Sequence, residues 1–372
     1  MHSPTDTARL CRSQSRCGGP PCPPTETACD KVTDKARDKV EPLADSSRQT
    51  SRGLVLFSGG LDSLLAVCVL REQGCHVEGV VFDSPFFNIR AAHTGARALD
   101  LPLRTIDFTA DITELIMNPR RGFGTAMNPC IDCHARMIRR AGERMQALGW
   151  DFIATGEVVN QRPMSQNRQA LSLVARDSGF ADYLIRPLSA QLLEPTRPEL
   201  DGRVDRSRLL KLSGRSRLEQ AALARKYGLR DYPSSGGGCL LTERQFCNKL
   251  QDLKDHEGLG EPRDLLRLRL GRHFRLPGGA KCIVGRNAGD NQRLAQQLQV
   301  GERLIRPLGT PGPTAILSAG ATAPDVALAL GLVAGYCDAG TETVRLACTD
   351  AGGQREVTVA RLPRETARQW IL

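Results

Sequence analysis

Leu54-Val-Leu-Phe-Ser-Gly-Gly-Leu-Asp-Ser63 opens the folded part of this chain and sets its architecture. The apolar run Leu54 to Phe57 has strand length, and Ser58-Gly59-Gly60 breaks it. Leu64, Leu65, Val67, Cys68 and Leu70 then recur at helical spacing. A strand, a glycine turn and a helix in that order aim free backbone N–H groups and a positive helix end at one point, which suits an anion. Gly59 and Gly60 let the backbone come close to that anion, and Ser58 and Ser63 add hydroxyl donors. Asp62 is the odd member, because a carboxylate beside a phosphate needs a cation or a proton to move. The loop lacks the Gly-Lys-Ser/Thr of a Walker A site and the Gly-x-Gly-x-x-Gly of a dinucleotide site.

The chain has 372 residues, which predicts about two or three domains. A hydrophobic fraction of 40% allows a sizeable core. The net charge of +10 points to an acidic partner, with nucleic acid first. Aromatics at 4% argue against single-strand binding by base stacking. The 13 cysteines are odd in number and scattered, unlike a disulfide framework. They fit a reducing, cytoplasmic setting. No apolar stretch is long enough for a membrane span, so no membrane association is expected. The first 50 residues have no apolar core of the kind a secretory signal needs.

Residues 1–50 are rich in Ser, Thr, Pro, Gly, Asp and Arg and read as a disordered tail. Cys11, Cys17, Cys22 and Cys29 lie there at spacings that match no common zinc pattern. Further strands are expected at Val77 to Ser84, Leu103 to Phe108 and Phe152 to Glu157, with helices over 88–99 and 111–117. Strands alternating with helices predict an α/β, doubly wound parallel sheet across residues 51–258. In such sheets ligands sit at the C-terminal strand ends, here Ser58, Asp83 and Gly156. Residues 186–202 read as a Pro-rich loop. From Arg203 to Arg275 there are 17 Lys and Arg against 9 Asp and Glu, which favours a polyanion site. From about Glu261 the texture changes. Residues 261–372 read as a small α+β domain, with a helix at Asp325 to Tyr336 and strands at Thr343 to Cys348 and Arg355 to Ala360.

Asn128-Pro-Cys130-Ile-Asp-Cys133-His134 opens a helix whose inward residues are Met137, Ile138, Ala141, Met145 and Leu148. A Cys-x-x-Cys at a helix N-terminus is expected to have a lowered thiolate pKa. Cys239 follows three glycines, an exposed and flexible setting for a thiol. Three such cysteines suit an iron–sulfur cluster with one open iron. They also suit zinc with His134 as fourth ligand. A third option needs no metal: one cysteine carries sulfur and another resolves a disulfide. The pair alone does not choose. Cys68, Cys75, Cys247, Cys282, Cys337 and Cys348 read as structural.

Taken together, Ser58 to Ser63, Asn128 to His134 and Thr155-Gly-Glu-Val-Val-Asn-Gln-Arg-Pro-Met-Ser-Gln166 resemble the pyrophosphatase domain of the tRNA thiouridine synthases, PP-loop enzymes of the adenine-nucleotide α-hydrolase type. The Asn-Pro-Cys-x-x-Cys form looks like the 2-thiouridylase, and Thr-Gly-Glu-x-x-x-Gln is more similar to the 4-thiouridine synthase. Pro233 to Thr242 looks like a bacterial side-family of these proteins. This resemblance covers about residues 52–255. A second one covers about 262–372, where Leu268-Arg-Leu-Gly-Arg-His-Phe274, Lys281 and Val284-Gly-Arg-Asn-Ala-Gly-Asp-Asn291 look like the RNA-binding NFACT-R module. The THUMP domain that usually precedes the pyrophosphatase domain in 4-thiouridine synthases has no counterpart in residues 1–50.

The resemblance implies binding of ATP and Mg²⁺ by Ser58, Gly59, Gly60, Asp62 and Ser63, with Phe82 and Gly156 completing the nucleotide site. It implies adenylation of a uridine carbonyl of tRNA, then sulfur insertion to give 2- or 4-thiouridine. Cys130, Cys133 and Cys239 would carry persulfide sulfur, or together hold a [4Fe-4S] cluster, the option favoured slightly. The sulfur donor would be a cysteine desulfurase or sulfide. Arg136, Arg139, Arg272, His273, Lys281 and Arg286 would hold RNA phosphates. A homodimer is compatible with the sequence. Two rival readings remain: an amidating ligase of the same superfamily acting on a small acid, and a non-catalytic RNA-binding factor.

Overall fold

The structure is a computed structural model that describes residues 50–233 and 238–372. The expected disordered tail with its four cysteines lies outside the described residues, as does most of the glycine stretch before Cys239. The described residues belong to one compact unit.

Five strands form a parallel sheet: β1 (Arg52–Leu56), β2 (His76–Asp83), β3 (Leu103–Asp107), β4 (Phe152–Thr155) and β5 (Leu184–Ile185). Their spatial order is β3-β2-β1-β4-β5. Side chains alternate across a strand, so Leu54 enters the core on one face while Val55 and Phe57 enter the core on the other. Burial on both faces explains the unbroken apolar run of β1. Helices α1 (Leu61–Arg71) and α2 (Arg90–Ala98) cover one face. Helices α3 (Thr109–Met117), α4 (Cys130–Ala147) and α5 (Arg168–Ser178) cover the other. The expected Pro-rich loop contains a short helix, α6 (Arg197–Leu200), held by a Thr196–Glu199 capping box. Then follow α7 (Leu218–Lys226), packed beside α1, α8 (Arg244–His256) and α9 (Pro262–Arg267). The chain steps from β1 through β2 to β3 and returns to β4 on the far side of β1. Strand order therefore reverses between β1 and β4, and in such sheets ligands bind outside the C-terminal strand ends at that point.

Six further strands form a wholly antiparallel sheet in the order β11-β10-β8-β9-β7-β6. They are β6 (Arg272–Arg275), β7 (Lys281–Val284), β8 (Arg303–Pro307), β9 (Ala315–Leu317), β10 (Thr343–Asp350) and β11 (Gly353–Ala360). Helix α10 (Ala288–Gln296) places Leu294 on one face, against Ile283, Leu304 and Ile316. Helix α11 (Ala323–Gly335) seals the main core on the other, with α12 (Arg364–Ala367) beside it. Thr322 caps α11. Buried Asp325 accepts the amides of Gly278 at 2.9 Å and Ala280 at 3.2 Å, which pins the β6–β7 turn. Leu259, Leu265 and Leu268 still pack on the first sheet's core, whereas Phe274 belongs to the second.

Much of the basic stretch is engaged inside the fold. Arg203 pairs with Asp151, Arg206 with Glu199 and Lys226 with Glu72. Arg275 pairs with Asp252 and Glu257, and buried Arg267 grips Glu302 with both terminal nitrogens, at 2.7 and 2.9 Å. His273, expected on the RNA, is fully buried in β6. Its Nε2 faces the carbonyls of Leu270 at 2.9 Å and Arg267 at 3.2 Å, so that nitrogen must be the donor. It is a core histidine.

Burial, helped by Lys249 and Lys281 nearby, holds the His273 pKa well below its ordinary 6.5. The unfolded chain therefore binds a proton that the folded chain refuses. Stability is full above pH 6.5 and falls as the pH drops below it. The slope for one such group is about 1.4 kcal/mol per pH unit. Denaturant unfolding should show the second sheet losing stability progressively as the pH is lowered below about 6.5. His273→Gln keeps an N–H donor and should flatten that dependence; an unchanged slope would assign it to other groups.

Candidate active site

The β1–α1 loop lies at the strand-order reversal. Gly59 has φ +75°, and a Cβ there would fall 2.1 Å from the Ala91 carbonyl oxygen, so only glycine fits. Gly60 is extended and starts α1, whose first-turn amides lack intrahelical acceptors. Ser63 is buried and donates its hydroxyl to the Gly60 carbonyl at 2.8 Å, while Ser58 is exposed. The five expected loop residues are thus together, at the N-terminus of an eleven-residue helix.

Asp62 Oδ2 accepts from Gln161 Nε2 at 2.7 Å and from Arg217 at 3.2 Å. Its Oδ1 is buried and has no partner among the described residues. A carboxylate with one oxygen tied and one bare beside a phosphate-binding loop fits a magnesium ion. Gln161 is held in turn by buried Gln220, at 3.0 Å. Arg217 precedes α7, and Gln220 lies in its first turn. The sequence reading missed both, because nothing local marks a residue 155 positions away as a neighbour of Asp62.

Gly156 follows β4. A Cβ on it would sit 2.6–2.7 Å from the backbone of Asp62 and Ser63. Its role here is to let two backbones touch. The next residue, Glu157, is buried and accepts from Arg186 at 2.8 Å, Thr155 at 3.0 Å and His134 at 3.0 Å. Burial pushes its pKa up, but the Arg186 charge and the His134 contact outweigh this and hold it at about 2. Arg186 follows the apolar pair of β5; a cation on such a strand end is the signal that could have foretold a buried acid. Arg162 is exposed, and its charge acts on Cys239.

Cys130 opens α4, is half-buried, and its sulfur accepts from Asn128 Nδ2 at 3.1 Å. Cys133 is buried in the apolar core. Cys239 is half-buried and bridges to Phe87. The three are close enough to act on one another electrostatically. The expected lowering of thiol pKa is overturned at Cys133. Burial pushes Cys133 well above 9.0, and the neighbouring cysteines, Asp132 and Asp111 add to it. Burial likewise pushes Cys239 to about 11, against the Leu241 backbone contact and Arg162. No group of three or more His, Cys, Asp or Glu is set to hold a metal ion among the described residues. His134 is engaged with Glu157. The thiols therefore do not fit a cluster or a zinc ion as arranged, and no step below runs through one.

Several expected contacts have other work. Phe82 is 6% exposed, its ring edge-on to Phe108 at 5.2 Å, so the ring is core and not open to a base. Arg136 is clamped by Asp111 at 2.8 Å and Glu114 at 3.1 Å. Arg139 caps the end of α5 through the carbonyls of Asp177 and Ser178. Lys281 lies 3.5 Å from both Asp252 and Glu257. Arg286 bonds Asp290 at 2.7 Å and the Arg269 carbonyl at 2.8 Å. Arg272 stacks over Tyr336 at 4.9 Å. Neither of two surface hollows, one beside His93 and Arg97 and one beside Arg104 and Arg140, touches the loop or the cysteines. No helix among the described residues is long and apolar enough to cross a membrane.

Residues 51–196 match the family described as the tRNA methyl transferase HUP domain. Residues 271–371 match the NFACT protein RNA binding domain. The chain is 30% identical over 226 residues to a tRNA-specific 2-thiouridylase MnmA of Dichelobacter nodosus, covering 55% of each. It is 25% identical over 258 residues to the protein of that name from Xanthobacter autotrophicus, covering 62% of each. The chain thus spans little more than half the length of these curated relatives. A solved 4-thiouridine synthetase–RNA complex with bound ATP is 20% identical, with a TM-score of 0.37, over 59% of this chain and 52% of that one. The first sheet is thiouridylase-like and the second NFACT-like, in accord with both resemblances drawn from the sequence.

Gly156→Ala would force the Asp62–Ser63 backbone away from β4, an overpacking cost of about 1–3 kcal/mol. ATP affinity measured by calorimetry should fall about tenfold or more. Unchanged affinity in a folded variant would show that the loop does not depend on this contact.

Proposed function

We propose that the chain is an ATP-dependent tRNA sulfurtransferase, which adenylates a uridine carbonyl and replaces its oxygen with sulfur to give 2- or 4-thiouridine. One observation carries the reading. The segment after β4 runs from the nucleotide loop toward the thiols: Gly156 and Gln161 meet Asp62, Glu157 meets His134 next to Cys133 in sequence, and the Arg162 charge acts on Cys239. A nucleotide loop joined by one segment to the region of the thiols suits activation by ATP followed by sulfur transfer. The similarity to tRNA-specific 2-thiouridylases supports the same chemistry. A small-acid ligase would need no such thiols.

In this reading Ser58 to Ser63 bind the phosphates through amides and hydroxyls, and Arg217 offsets their charge from the far side of Asp62. Asp62 would hold a magnesium ion, which supplies charge neutralisation at the phosphates. The uridine carbonyl oxygen attacks the α-phosphorus and pyrophosphate leaves; the fixed donors stabilise the growing charge. Cys130 and Cys239 are the half-buried thiols and act as the sulfur-handling pair. The outer sulfur of a persulfide on one attacks the activated carbon, and AMP leaves with the old carbonyl oxygen. The other thiolate then attacks the S–S bond. This frees the thiocarbonyl and leaves a Cys130–Cys239 disulfide. Hydrosulfide attack on that disulfide returns the persulfide and the free thiol. With a cysteine desulfurase as sulfur source, a thiol reductant opens the disulfide instead.

The RNA would lie over exposed Arg120, Arg162 and Arg215, with the second module, from about residue 270, holding it through cations that include half-exposed Arg272 and Arg286. A cytoplasmic location suits a tRNA substrate. The nucleosides of tRNA from a strain carrying Cys239→Ala should lose their thiouridine, while the purified variant binds ATP within about twofold of the wild type. Asp62→Asn should lose pyrophosphate release as well. Full 2- or 4-thiouridine content in the Cys239→Ala strain would end this reading.

A further inference from the structure

We propose that Arg269 is a positioning residue for Cys239, fixing the turn on which the backbone of that cysteine pairs. Cys239 is presented by a short stretch that borrows its order from the turn after β2. Its backbone bridges to Phe87, and the Leu240 amide donates to the Phe86 carbonyl at 3.0 Å. That turn closes on itself only lightly, through Ser84 Oγ to the Phe86 amide at 3.2 Å and the Ser84 carbonyl to the Phe87 amide at 3.2 Å. Its outer carbonyl, that of Phe87, is taken by Arg269 at 2.5 Å. Arg269 reaches it across 182 residues, from just before the second sheet. Its own carbonyl accepts from Arg286, which is tied to Asp290 at the start of α10.

The arrangement is costly for a side chain that merely fills space. Arg269 Nε is buried with no partner among the described residues, and burial lowers the guanidinium pKa although the Asp83 charge opposes this. An apolar residue would avoid both penalties. What the arginine adds is a directed, charge-assisted bond from the seat of the second sheet to the turn that orders Cys239. The thiol then stays beside Cys130 and Cys133 rather than swinging out.

This role deepens the sulfurtransferase reading and rests on it for its purpose, but its first readout does not. The full chain is treated with iodoacetamide, and labelling at each cysteine is followed by mass spectrometry. Neither Arg269→Met nor Arg269→Gln can reach the Phe87 carbonyl with a comparable bond. Each should label Cys239 about tenfold faster than the wild type, the factor expected for losing one charged hydrogen bond that restrains local opening. Cys282 and Cys337, buried in the second core, should stay protected and so report an intact fold. Arg269→Lys should restore part of the protection. Thiolation kcat should fall in the same order, with the KM for ATP unmoved. Wild-type labelling of Cys239 in either folded variant would overturn the proposal. Faster labelling in a protein that thiolates no RNA even as wild type would keep the positioning role and remove the proposed function.

Discussion

The contact of the Gly156 backbone with the Asp62–Ser63 backbone is the constraint on which the site depends. The end of β4 and the first turn of α1 meet there without a side chain between them. That fixes how β4 hands the chain onward. Glu157 then falls on His134 and Arg186, Gln161 on Asp62, and Arg162 near Cys239. The buried Glu157 carboxylate makes the arrangement stiff. An ionised acid inside a protein is tolerated only when its partners are complete, and removing one leaves a charge without compensation, at a cost of about 3–5 kcal/mol. The loop therefore has few alternatives, and the chemical groups it holds keep their mutual places.

The basic balance of the chain has a different meaning in three dimensions than along the sequence. Arg136, Arg139, Arg267 and Arg275 bind acids or helix-end carbonyls, and His273 is a neutral core group. Arginine suits such duty because its planar fork makes several directed bonds and keeps its charge when half-buried. Exposed cations such as Arg120, Arg162 and Arg215 are not the ones a motif would pick. A polyanion gains affinity chiefly from unpaired surface charge, because only that releases counterions.

The thiols show two effects in competition. The partial positive charge at a helix N-terminus favours a thiolate. Cys133, however, faces the core with Ile138 and Phe86, and there the loss of water dominates. Burial separates the two members of one Cys-x-x-Cys, leaving Cys130 the more accessible.

The sequence by itself determined the parts whose physics is local. The apolar run of β1, the glycine turn and the helical spacing after it gave the strand–loop–helix unit. Alternation of such units yielded the parallel sheet, and the change of texture past 261 the second one. Gly59, Gly60, Asp62 and Ser63 were legible because each works within a few residues of its neighbours. The tertiary structure decided everything that depends on burial or on distant partners. It recruited Arg217 and Gln220 to Asp62, brought Cys239 to the Cys-x-x-Cys, moved His273 and Phe82 into cores, and assigned Arg269 to a turn far away in the chain. The reason is physical: hydrogen bonds and desolvation depend on separation in space. At the nucleotide loop the crossing of β4 beside β1 sets those separations, and it makes Gly156 the point where two backbones touch.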